Sequence, residues 1–148
     1  MLVLAAGDIS FELRIAGYQY PSEATADYDC NWLMIEGNVK HPRGNWQFLD
    51  PSLLTYEVAE LAGWLEEIPA KANRDSTCDF TEPNLSFEVL DDFKTRILRV
   101  SFALESLPPW AKRGEDACIE FPVNELDLIA AATALREQLS QYPQRGPR

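Results

Sequence analysis

Histidine is the scarcest resource of this chain: His41 is the only one among 148 residues, and that scarcity excludes most catalytic arrangements. Serine and cysteine nucleophiles usually need a histidine base, and His41, beside Pro42, reads as a solvated turn residue. Cys30, Cys78 and Cys118 are odd in number, far apart and never in C-x-x-C spacing. They match neither a zinc set nor a disulfide framework, so three reduced, mostly buried thiols are expected. The seven glycines are scattered, and no G-x-G-x-x-G or G-x-x-x-x-G-K loop exists to cradle a phosphate. No metal and no cofactor is expected. No apolar run approaches the roughly 20 residues of a membrane span. The apolar opening, Met1 to Ala6, lacks the basic start and longer apolar stretch of a signal peptide. A cytoplasmic location without membrane contact is therefore expected.

Basic residues are the second shortage. Thirteen Lys and Arg face 24 Asp and Glu, giving a net charge of −11 and a pI near 4.4. Such a field repels phosphate backbones and speeds encounter with basic partners. Nucleic acid is not an expected partner; a basic protein surface is. The 46% hydrophobic residues supply a core, and a chain of this length buries roughly 68–70% of its unfolded surface. Residues 1–142 are expected to form a single domain, and the Pro- and Gly-containing tail 143–148 is expected to fray.

Period-two alternation marks strands. It appears at Ser10–Tyr18 (Phe11, Leu13 and Ile15 against Glu12 and Arg14), at Asn31–Lys40 and at Asn45–Leu49, with His41 to Gly44 as the turn between the last two. It returns at Leu85–Val89, at Leu98–Leu104 and at Ile119–Phe121. Between these runs the spacing changes to 3 and 4. Leu54, Val58, Leu61, Leu65 and Ile68 predict a helix over 55–68, with Thr55 as its cap, Glu57 facing away from the stripe and Pro69 as its end. Leu128, Ala132, Leu135 and Leu139 predict a helix over 124–141, capped by Asn124 with Asp127 completing a capping box. The order βββα–βββα predicts an α+β fold: one antiparallel sheet of about six strands, with both helices packed on its apolar face. Glu12, Arg14, Glu36, Glu88, Arg99 and Glu120 fall on the opposite, solvated face. Trp32 and Trp46, on neighbouring strands, are expected to be largely buried.

Carboxylates are the remaining chemical resource. Asp27 with Asp29 and Asp91 with Asp92 are close in sequence, but neither pair has calcium-loop spacing, and turns favour aspartate in any case. A charge gap is more informative. From Asp75 to Asp92 there is no basic residue, while Asp75, Asp79, Glu82, Glu88, Asp91 and Asp92 accumulate there. With Trp110 as an aromatic anchor, Asp75, Asp79, Glu82, Asp91 and Asp92 are the candidate contacts to a basic partner.

Several runs also resemble the WapI-type bacterial immunity proteins, cytosolic antidotes to wall-associated, contact-dependent toxins. They are Leu13 to Pro21, Tyr28 to Gly37, Leu53 to Glu57 leading into Leu61 to Leu65, Glu82 to Phe87, and Glu105 to Trp110. The Asp29-Cys30-Asn31-Trp32-Leu33 run is the most specific, and the likeness spans roughly residues 10–142. The resemblance implies stoichiometric inhibition of a toxin domain, a basic one by analogy, and transfers no catalytic or contact residue. Two other readings stand beside it. One is a non-enzymatic protein-binding module or assembly subunit of unrelated role; the other is a carboxylate-based enzyme acting on a small ligand, which a pocket lined by acids of raised pKa would favour.

Overall fold

Alternate side chains leave opposite faces of a pleated strand, and the buried positions follow that rule through the chain. The computed structural model describes residues 1–21, 28–92, 94–112 and 115–146, without the side chains of Tyr28 and Asp92. Strands β1 (Leu2–Ala6), β2 (Ile9–Tyr18), β3 (Trp32–Lys40) and β4 (Trp46–Leu54) precede helix α1 (Thr55–Ala70). Strands β5 (Thr77–Cys78), β6 (Leu85–Asp92), β7 (Thr95–Phe102) and β8 (Ala117–Pro122) precede helix α2 (Leu128–Leu139).

The α+β class and the two helices agree with the sequence, but the single six-stranded sheet does not. Among the described residues there are two antiparallel sheets of four strands, each in plain chain order. Periodicity identifies a strand and its faces but does not say which strand lies beside it. Here α1 comes between β4 and β5, and each half closes on its own local hairpins. β1 escapes the periodicity because Leu2 to Ala6 are all apolar, and only burial alternates: Leu2 and Leu4 are buried, Val3 exposed. β5 is too short to show a period.

The helices pack largely on one another, with α2 also against β1 and β2 and α1 against β4. Val58, Leu61, Leu65 and Ile68 of α1 and Leu128, Ala132 and Leu135 of α2 are buried, as their spacing predicts. Arg136 clamps the seam through a two-pronged bond to Glu66, Nε to Oε1 at 2.8 Å and Nη2 to Oε2 at 3.1 Å. This bond holds the Glu66 carboxyl below its usual range.

The caps lie elsewhere than the sequence suggests. Leu54 is the N-cap of α1, and its N–H is taken by Glu57 Oε1 at 2.9 Å. Glu57 is therefore buried rather than turned outward, and its Oε2 accepts the Thr81 N–H at 2.7 Å. Asp127, not Asn124, caps α2 by accepting the Ala130 N–H; Asn124 belongs to a 3-10 turn, Val123–Glu125. The backbone of α1 runs through Pro69 to Ala70 and ends at Lys71 in the left-handed region. There the Lys71 and Ala72 N–H groups cover the Ile68 and Glu67 carbonyls.

One core joins the two sheets. Phe102 of β7 meets Phe11 edge-on at 5.5 Å, Trp46 at 5.3 Å and Phe48 at 6.0 Å between ring centroids. The Phe48 ring lies over Gly37, where an added β-carbon would fall 2.1 Å from it. Only glycine leaves room for that ring. Trp46 is buried as expected, but Trp32, at the other end of the β3–β4 hairpin, is half-buried. The outer faces are wet as expected. Arg14 pairs with Glu36 on the first sheet, and on the second Arg99 lies between Glu88 at 3.6 Å and Glu120 at 2.9 Å.

Asn31 ties three distant segments together. It is fully buried; its Oδ1 accepts the Arg145 N–H at 2.7 Å and the Thr55 hydroxyl at 3.0 Å, and its Nδ2 donates to the Arg145 carbonyl at 2.7 Å. Tyr18 adds a bond from its hydroxyl to the Pro143 carbonyl. Residues 143–145, expected to fray, carry these bonds. Asn31→Ala is expected to cost about 2–3 kcal/mol, because it strands buried partners. Urea denaturation reads that loss, and an unchanged midpoint would deny Asn31 this role.

Candidate partner-binding surface

The loop between β5 and β6 carries Asp79 and Glu82 out of the sheet to meet acids from remote parts of the chain. Glu82 lines a notch of about 150 Å³ with Asp50, Pro51, Asn84 and Glu105. Asp50 lies in β4 and Glu105 in the 3-10 turn Leu104–Ser106 after β7. The Asn84 amide, buried at the notch, donates to Glu105 Oε2 at 3.0 Å. On the other side of the loop, Asp79 shares a groove with Asp116, Phe80, Ser86 and Ser101. No Lys or Arg lines either depression among the described residues.

Two groups near this loop are shifted by burial first and by neighbouring carboxylates second. Partial burial, followed by the Glu105 carboxylate, pushes the Asp50 carboxyl up from its ordinary range. Burial pushes the Cys78 thiol up to about 12, with Glu60, Asp79 and Glu57 adding to the shift. Cys78 is thus a protonated, unreactive thiol at neutral pH. None of the three cysteines is in a disulfide, but only Cys30 is buried; Cys78 is half-buried and Cys118 exposed, contrary to the expectation of mostly buried thiols.

The remaining sequence candidates lie apart from this acidic flank. Asp75 and Asp91 line a cleft of about 650 Å³ with Lys71, Arg74, Lys94 and Arg96. Asp91 stands 3.3 Å from the Arg96 guanidinium. A one-sign tract in the sequence thus meets mixed charge in space, because the end of α1 and strand β7 bring cations beside it. Asp92 pairs through its backbone with Thr95, its side chain lies outside the description, and Asp27 lies outside the described residues altogether.

Trp110 is half-buried at the β3–β4 turn. It stacks on His41 at 5.3 Å, meets Trp46 edge-on at 5.6 Å and lies 4.1 Å beneath the Arg43 guanidinium. Its indole N–H donates to the Gly44 carbonyl at 3.1 Å. His41 is correspondingly packed rather than simply solvated, and its Nδ1 accepts the Arg43 N–H.

Among the described residues no His, Cys, Asp and Glu cluster has the geometry to hold a metal ion, and no helix is long and apolar enough to cross a membrane. The family model "Immunity protein WapI-like family" matches residues 2–143. The chain belongs to that family. Membership supports an immunity role, a protein partner and a non-enzymatic mode of action. Comparison with curated proteins and with solved structures gives no match. Within this WapI-like chain, the runs that carry the resemblance hold the fold together: Asn31 staples the C-terminal segment, and Glu57 closes the start of α1. Ser106 accepts the Ala103 N–H and donates to the Asn84 carbonyl.

Asp50 supplies a pH test of the flank. A carboxyl whose folded pKa is raised favours folding only while protonated, so its ionisation weakens the native state as pH rises through the folded value. Asp50→Asn is therefore expected to melt at an equal or higher temperature than wild type at about pH 7, an advantage that vanishes at about pH 3. Thermal melts at both values check this; a variant less stable at neutral pH would contradict it.

Proposed function

We propose that this chain neutralises a cognate toxin domain by forming a one-to-one complex with it in the cytoplasm. The acidic flank of Asp50, Asp79, Glu82, Glu105 and Asp116 faces the basic surface of that domain. The observation that carries this reading, beside family membership, is the placing of five carboxylates from four segments in two depressions around one loop, neither of them lined by a cation among the described residues. Like charges held close together repel, and an oppositely charged partner relieves that repulsion. Asp75 and Asp91, set among the cations of their cleft, are secondary contacts beside the β6–β7 hairpin, and Trp110 marks a margin at the β3–β4 turn.

Asp50 in its acid-lined notch is the one feature that favours a carboxylate enzyme instead. The notch of about 150 Å³ falls short of the roughly 300–1,000 Å³ of ordinary small-ligand sites, and among the described residues no histidine, lysine or thiol lines it. Binding is the better reading. The test is to express the C-terminal domain of the protein encoded beside this chain and to mix the two. A one-to-one complex in which toxin activity is lost supports the proposal; absence of a complex at micromolar concentrations overturns it.

A further inference from the structure

Leu104 sits where a leucine is poorly suited. Its φ is +54°, in the left-handed region where a β-carbon crowds the following carbonyl and glycine or asparagine is the ordinary choice. Its side chain is 57% exposed, so the core does not reward it. The surrounding bonds nevertheless hold it there. The buried Ser106 hydroxyl accepts the Ala103 N–H at 3.1 Å and donates to the Asn84 carbonyl. The Leu107 N–H closes onto the Leu104 carbonyl at 3.1 Å, and the Ser106 carbonyl is held by the Trp46 indole at 3.0 Å. A rigid support therefore presents an apolar side chain to solvent. The next residue, Glu105, opens into the notch shared with Glu82 and Asp50.

An apolar side chain on a rigid mount beside a charged rim is the usual form of an interface anchor, and backbone strain persists at ligand-clamping sites when neighbours over-determine it. We propose that Leu104 is the apolar anchor of the partner interface. It enters a pocket on the basic toxin domain while Glu105, Glu82 and Asp50 receive the cationic rim of that pocket. This inference rests on the immunity reading and names the residue at its centre.

Leu104→Asn and Leu104→Gly separate a binding role from a structural one, since both residues tolerate the left-handed backbone. Each variant is expected to melt no lower than wild type, yet to bind the adjacently encoded toxin domain about fivefold or more weakly by calorimetry. Leu104→Met, which keeps the apolar surface, is expected to bind within about twofold of wild type. Wild-type binding with unchanged affinity in the Asn and Gly variants overturns the anchor and leaves the immunity reading intact. Failure of the wild type to bind overturns both. A concentration-dependent dimer of the free chain that Leu104→Asn abolishes in sedimentation would show that the side chain serves self-association, and would overturn the proposal as well.

Discussion

Trp46→Ala is expected to lower the unfolding free energy by about 3–5 kcal/mol, as truncation of a large buried aromatic does, seen as a fall in the denaturant midpoint. Trp46 is 5% exposed. It belongs to β4 of the first sheet, yet its ring meets Phe102 of the second and Trp110 of the following loop. Its indole N–H also satisfies the Ser106 carbonyl. Truncation therefore removes apolar contact where the two sheets meet and leaves a buried acceptor unpaired. Trp32→Ala, at a half-buried position, is expected to cost clearly less. Equal losses at the two positions would show that the joint between the sheets is not where Trp46 places it.

The second large effect is on association rate. Replacing Asp79, Glu82 and Glu105 together by their amides is expected to slow binding to the toxin domain about tenfold or more at low salt, because exposed charges steer encounter. The gap should close as salt rises, since at about 0.15 M such fields are screened beyond about 8 Å. Asp75→Asn with Asp91→Asn should slow association less, because Lys71, Arg74, Lys94 and Arg96 line the same cleft and already offset those two carboxylates. Folding stability should change by less than about 1 kcal/mol in either variant, as exposed charges contribute little to it. Stopped-flow rates at two salt concentrations decide the matter. Equal rates for the triple variant and wild type would remove the flank from the interface. A larger effect of the Asp75 and Asp91 pair would move the interface to the β6–β7 hairpin.

Much of the candidate surface was hidden from the sequence. Asp79 and Glu82 stand in a visible charge gap, but Asp50, Glu105 and Asp116, which complete the flank, lie up to 66 positions apart and belong to segments of no special composition. The same gap placed Asp75 and Asp91 with them, whereas the folded chain sets those two among cations. Charge along a chain is one-dimensional; the field a partner meets depends on which segments turn towards the same side. Leu104 was misplaced for a related reason: alternation from Leu98 carried it onto the apolar face of a strand, whereas β7 ends at Phe102 and Leu104 is exposed, and nothing in the letters Ala-Leu-Glu-Ser announces a left-handed backbone.

Local periodicity and composition, both properties of the sequence by itself, determined the elements and the general character of the surface. Of the elements among the described residues, six of the eight strands, both helices, the apolar stripe of each helix and the wet outer faces are written in spacings of two and of three and four. The acidic charge is read directly from the composition, and the runs around Asn31, Asn84 and Ser106 point to its family. Only the tertiary structure decided how the strands divide. A strand's alternation is satisfied by any apolar layer, so one sheet and two sheets share the same pattern. Which one forms depends on where α1 carries the chain and on Phe102 meeting Phe11, Trp46 and Phe48 across the joint. The caps, too, were decided there. Thr55 is a good capping residue in isolation, but its hydroxyl is taken by Asn31 24 positions away, and a long-range bond of that kind leaves no trace in local sequence.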